Sequence, residues 1–82
     1  MNDSSTARKR VAGYNQFAKL VRKGKAAKVY LASDADFYFV NGVKRELEGH
    51  KEIKLDTSKT ASQLAEMCSV EVPTAVVTEV EA

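Results

Sequence analysis

Asn15, Gln16, Lys19, Arg22 and Lys23 are the residues whose types and spacing most readily support chemistry, and that chemistry is recognition. Amides pair with nucleobase edges, and cations pair with phosphates. All five lie within residues 13–24, where apolar side chains recur at helical spacing. Tyr14, Phe17, Leu20 and Val21 fall on one side with Ala18 at its margin; the amides and cations fall on the other. A helix start also has unpaired backbone N–H groups and a partial positive charge, so Asn15 and Gln16 would stand beside further donors. The same pattern also describes an ordinary amphipathic helix with a solvated polar face.

The remaining candidates for chemistry point away from catalysis. Asp34 and Asp36 are close enough to suggest a metal site or an acid–base pair. Acids just ahead of a helix also cap it, which is the favoured reading, and Ser33 with Asp36 has the spacing of a capping box. No motif places a nucleophile or acid with His50, and Cys68 sits on an apolar stripe. One His and one Cys far apart spell out no zinc cluster. With no nucleophile–base pair and no phosphate-binding glycine loop, the expectation is no enzyme, no catalytic residue, no metal and no cofactor.

Positioning these residues requires alternating strands and helices. Val11 and Ala12 close a short strand before Gly13, which suits a tight helix start or a close approach by a partner's backbone. Gly24 stops the first helix. Residues 28–32 form an apolar, central strand. A second helix over 37–48 buries Val40, Val43 and Leu47 with one or more of Phe37, Tyr38 and Phe39; core packing is preferred for these aromatics over a base-stacking platform. Residues 52–55 alternate as a half-exposed strand, and Asp56, Thr57 and Ser58 offer caps for a third helix carrying Ala61, Leu64, Ala65 and Cys68 on one face. After a loop at 69–73, β-branched residues 74–80 form the last strand, with Pro73 at its beginning. The order implies an α/β domain with helices covering a sheet.

The 82 residues are enough for one domain with a modest core. The polar residues 1–8 read as a disordered tail ahead of a domain at 9–82, with Arg8, Lys9 and Arg10 as a basic lead-in. No apolar run is long enough for a transmembrane helix, and the first residues do not resemble a secretory signal. One cysteine fits a reducing cytoplasm. Net charge is +2, but unevenly spread: residues 1–33 carry +7 and residues 34–82 carry −5. A basic, polyanion-facing end and an acidic remainder are implied, unless folding mingles the charges.

Three separated segments resemble one family. They are Gly13-Tyr14-Asn15-Gln16-Phe17-Ala18-Lys19, Val29-Tyr30-Leu31-Ala32-Ser33-Asp34-Ala35-Asp36, and Leu64-Ala65-Glu66-Met67-Cys68-Ser69-Val70-Glu71-Val72-Pro73. Their order and spacing are similar to the L-seven-Ae family of ribosomal proteins and kink-turn RNA binders, most of all its small bacterial members. That family has a Gly-x-Asn-Glu-x-x-Lys helix start, a strand ending Ala-x-Asp-x-Asp-Pro, and a Leu-Gly-x-x-x-x-(Val/Ile)-x-Val loop. The resemblance implies a three-layer α/β/α sandwich with a four-stranded mixed sheet in a single compact domain. It further implies a monomer binding structured RNA with a kink-turn, ribosomal or riboswitch, with the ribosome as a partner. By the same resemblance Asn15 and Gln16 meet guanine edges at tandem sheared G·A pairs. Lys19 meets a base edge or phosphate, Lys23 the backbone, and Gly13 allows the RNA to approach. Val70, Glu71 and Val72 cover flipped-out loop nucleotides.

This chain departs from the pattern at Gln16 for Glu, Phe37 for Pro, Ala65 for Gly, and Ser69 where a helix-ending Gly is common. The alternative function is a protein-interaction or scaffold domain on the same fold with weakened RNA binding.

Overall fold

The computed structural model describes residues 9–80, so the tail expected over 1–8 and the cation Arg8 lie outside the described residues. Four strands, β1 (Arg10–Ala12), β2 (Ala26–Leu31), β3 (Lys54–Asp56) and β4 (Val76–Val80), alternate with three helices, α1 (Tyr14–Arg22), α2 (Phe37–Glu46) and α3 (Ala61–Met67). They form one four-stranded sheet in the order β1–β4–β2–β3. The β2–β3 pair is parallel, while β4 runs antiparallel to both β1 and β2. The sheet is therefore mixed, as expected.

The interior strands explain the layers. Along β2, Val29 and Leu31 enter one apolar cluster with Phe17, Val21, Val43, Ile53 and Val76. Tyr30 and Ala32 enter another with Leu64 and Val77. Successive side chains on a strand point to opposite faces, so α1 and α2 cover one face and α3 the other. This is the expected α/β/α sandwich. Full burial of Phe17 between α1 and the sheet makes its truncation to Ala cost about 3–5 kcal/mol.

On the α3 face the buried Glu79 carboxylate accepts from Tyr30 Oη at 3.1 Å and Arg10 Nε at 3.2 Å. Three strands are thereby linked through one acid.

Helix ends follow local chemistry. Lys23 caps α1, Gly24 takes φ +72°, and the N–H groups of Gly24 and Lys25 donate to Val21 and Leu20 carbonyls at 3.0 and 2.9 Å. That is a Schellman closure. The same closure ends α3 around Ser69 at φ +58°, with Ser69 N–H on Glu66 O and Val70 N–H on Ala65 O. Ser69 thus adopts the left-handed backbone of the glycine it replaces.

Some sequence expectations shift. The cap of α2 is Asp36 alone, accepting from Tyr38 and Phe39 N–H, so Ser33 and Asp36 form no capping box. The capping box instead joins Thr60 and Gln63 at α3. Asp56 holds Ser58 in a turn (N–Oδ1 2.8 Å), so residues 56–58 shape the approach to α3 rather than cap it. Phe37 and Tyr38 are 76% and 73% exposed, and Phe39 alone of the three aromatics turns inward against Tyr14. No helix among the described residues is long and apolar enough to cross a membrane.

Helix α2 approaches α1 through Gly42. A Cβ on Gly42 would lie 2.5 Å from Tyr14 Oη and 3.0 Å from its Cζ, so the Tyr14 ring occupies the space a side chain would fill. That ring is held between Phe17 and Phe39, at centroid distances of 5.5 and 5.9 Å.

Candidate nucleic-acid interface

Strand directions gather one end of the molecule. The last residues of β1, β2 and β3 and the first of β4 share one sheet edge, as the pairs Ala12–Val77, Leu31–Val76 and Tyr30–Asp56 require. The starts of α1 and α2 therefore open at that edge. Loops at the carboxyl ends of strands are where open α/β sheets hold ligands.

At this edge α1 differs from the other helices. Gly13, at φ +112°, precedes it, and its N–H donates to Val76 O at 2.9 Å. An L side chain rarely adopts that φ, so the glycine fixes the angle at which the chain turns from β1 into α1. Nothing lies within 4 Å of where its Cβ would be, which leaves the approach open. Among the described residues, α2 has Asp36 as its cap, and α3 has Thr60 with added support from Asp34 Oδ1 on Ala61 N–H at 2.9 Å. Among the described residues no side chain caps the start of α1, and its first turn contains no acid. Its first amides keep their donor capacity and the positive end of the helix dipole.

Asn15, Gln16, Lys19 and Lys23 are all exposed, and among the described residues their side chains engage no partner. The opposite face buries Phe17, Ala18 and Val21. An open groove of about 390 Å³ brings Asn15, Lys19, Arg22 and Lys23 together beside Tyr14; Gln16 and Gly13 lie outside it. Arg22 forks onto Glu46 of α2 through Nε–Oε1 at 3.3 Å and Nη2–Oε2 at 2.5 Å, a pairing that raises the guanidinium above its usual pKa. The pair ties the helices together, while Lys19 and Lys23 engage no partner among the described residues.

The second expected segment folds back along α3. After Ser69, Val70 N–H is pinned to Ala65 O, and Thr74 N–H returns to Ala61 O at 3.3 Å. Val70, Glu71 and Val72 are exposed, Val72 at 68%. Val70 and Glu71 line a cleft of about 160 Å³ with Ser62, Ala65, Glu66 and Pro73; Val72 projects elsewhere. Exposed valines in a loop pinned by backbone bonds present apolar surface at small entropic cost on contact.

Asp34 and Asp36 serve as helix caps, and no cluster of three or more His, Cys, Asp or Glu among the described residues is arranged for a metal. Burial pushes the Cys68 thiol up, and the side chain packs against the α3-side cluster. Sequence reasoning assigned no site role to Phe37, Tyr38 and Arg45, which line a second groove beside the first. A signal for the aromatics was present. Three successive helical residues span roughly 200° of the helix circumference, so all three cannot face one core.

Comparison with known proteins agrees with this architecture. The chain is 38% identical over 72 residues to RNA-binding protein TTE2299 of Caldanaerobacter subterraneus subsp. tengcongensis, covering 88% of this chain and 87% of that protein. The fold matches the 15.5kD RNA binding protein of Giardia lamblia with a TM-score of 0.80 and 29% identity over 90% of this chain, which spans 62% of that protein. It also matches a protein of unknown function from Bacillus halodurans C, with a TM-score of 0.80 and 19% identity over 90% of this chain and 73% of that one. With its α/β/α layers, its mixed sheet and a family profile matching residues 1–82, the chain belongs to the ribosomal protein L7Ae/L30e/S12e/Gadd45 family.

Proposed function

We propose that this protein binds structured RNA and recognises a kink-turn through the start of α1, acting as a cytoplasmic monomer on ribosomal or riboswitch RNA. The observation that carries this reading is the uncapped α1 start, with Asn15, Gln16, Lys19 and Lys23 exposed beside it. Asn15 and Gln16 read base edges, Lys19 and Lys23 neutralise phosphates, and Gly13 leaves room for the backbone. Val70, Glu71 and Val72 cover unstacked nucleotides. The RNA-binding relatives support the partner class; the arrangement of amides beside orphan N–H groups supports selection on top of charge.

The test separates the two contributions. Asn15→Ala with Gln16→Ala removes no charge and opens no cavity, since both side chains are exposed. Kink-turn affinity is expected to fall at least about tenfold, while binding to a scrambled stem stays unchanged. Lys23→Ala is expected to weaken both RNAs alike and reduce the log–log salt slope by about 0.7–0.9. If the double variant binds both RNAs as the parent does, α1 is not the reading element and the scaffold function becomes the better account.

A further inference from the structure

A second open groove, about 440 Å³, runs between α1 and α2 and is lined by Tyr14, Arg22, Phe37, Tyr38, Gly42 and Arg45 among others. It joins the α1 groove, because Tyr14, Arg22 and Glu46 border both. Phe37 and Tyr38 occupy the first two positions of α2, just after the Asp36 cap. At 76% and 73% exposure they contribute little to the core. Tyr38 is nonetheless braced by a chain of rings. Tyr38 meets Phe39 edge-on at 5.5 Å and 81°, Phe39 meets Tyr14 at 5.9 Å, and Tyr14 meets the fully buried Phe17 at 5.5 Å. Four rings thus connect the surface to the core, and the Asp36 cap fixes the backbone beneath them.

Charge selects among possible occupants. The joined grooves are bordered by Lys19, Arg22, Lys23 and Arg45 against the single acid Glu46. Aromatic faces held open beside a cationic track match a nucleobase joined to phosphates, since base stacking accepts any base and cations follow the backbone. An apolar protein segment would use the rings but leave Lys19, Lys23 and Arg45 without counter-charge; Arg22 already has Glu46.

We propose that Phe37 and Tyr38 form a stacking platform for an unpaired nucleotide of a single strand leaving the RNA held by α1, with Arg45 on its phosphates. This rests on the reading of α1 as an RNA-binding element, and it adds a single-strand subsite to it.

The experiment compares a kink-turn RNA with flush ends against four versions, each with three adenosines added at a different strand end, and against matching abasic tails. For the parent protein, at least one adenosine tail is expected to raise affinity about tenfold, equivalent to about 1.4 kcal/mol, and its abasic counterpart to add nothing. Phe37→Ala with Tyr38→Ala should bind flush RNA like the parent and lose the tail advantage. Phe37→Leu with Tyr38→Leu keeps apolar area but removes the π-faces, and should lose it too; Tyr38→Phe should retain it. Circular dichroism melting verifies that each variant is folded.

Normal flush binding with no gain from any tail would overturn the platform and leave the α1 reading intact. A gain that survives the alanine pair or the abasic tail would overturn it likewise. If the parent fails to bind flush kink-turn RNA, both readings fall. If the alanine pair keeps every RNA affinity but loses a protein crosslinked to the parent in cells, the groove is a protein dock and the proposal is wrong.

Discussion

Replacing Gly42 with Ala should destabilise the protein even though Ala is the better helix former. Gly42 lies inside α2, where Ala alone would add about 0.8–1.0 kcal/mol of helix stability. Its new Cβ, however, would stand 2.5 Å from Tyr14 Oη and 3.0 Å from Cζ. Carbon contacts are comfortable at about 3.5–4.0 Å, so the ring must move by an appreciable fraction of an ångström. It has little freedom to do so, being packed against Phe17 and Phe39. Each aromatic pair contributes about 0.5–1.5 kcal/mol beyond area burial, and overpacking a filled site costs about 1–3 kcal/mol. The balance is a net loss of about 1 kcal/mol, or a Tm lower by about 4–8 °C. In a Tyr14→Ala background the obstacle is gone and the propensity gain should emerge, so the two sites should couple by about 2 kcal/mol. Urea and thermal unfolding followed by circular dichroism measure all four corners of that cycle. Equal stabilisation by Gly42→Ala with and without Tyr14 would refute the packing argument.

Three further outcomes follow from local chemistry. Ser69→Gly should raise stability by about 1 kcal/mol, because it relieves a left-handed backbone at a Schellman closure; a lower Tm would mean that the Ser69 side chain contributes something its backbone costs. Val72→Asp should leave the Tm nearly unchanged, since Val72 is 68% exposed, while weakening kink-turn binding; a drop of several degrees would make the loop part of the core. The hydroxyl and N–H of Ser58 hold the Asp56 carboxyl below its usual pKa. The turn's contribution should be fully present above the unfolded value of about 3.9 and fade as pH falls through the lower folded value. The Tm difference between parent and Asp56→Ala should accordingly shrink in acid, and a difference independent of pH would exclude this role for Asp56.

Legibility in the sequence depended on how local the physics was. Periodicity revealed α1 because Phe17, Ala18 and Val21 share one face and no other long-range information was needed. The apolar run of β2 likewise announced burial on both faces. The boundaries were less visible: β4 begins at Val76, two residues later than the β-branched run suggests, because Thr74 N–H is spent on Ala61 O in the return from α3. The support of α3 by Asp34 spans 27 residues, a distance over which no spacing rule operates. Phe37 and Tyr38 looked like core because large aromatics usually are; they instead open α2 directly after its Asp36 cap and stand in solvent, while Val43 a turn and more later carries the burial. Of the site, the exposure of Asn15, Gln16, Lys19 and Lys23 was legible in the sequence. The absence of a side-chain cap on α1 among the described residues required the structure.

The order of the sheet also sets a timetable for synthesis. β4, the last strand in sequence, lies between β1 and β2, and Val80 N–H closes onto Lys9 O at 2.8 Å. The pairing of β1 with β4 joins residues 69 apart at Arg10 and Glu79, and contacts of such separation slow folding by delaying the return on chain closure. As the polypeptide emerges, the apolar residues of the α1 segment are exposed long before β4 is available to cover them. At roughly 5–20 residues per second, several seconds separate the appearance of α1 from that of the strand that completes its bed. During that interval the nascent chain carries Phe17 and Val21 uncovered, so whatever attends it at the tunnel exit meets a short apolar segment still without the sheet that would hold it as a helix.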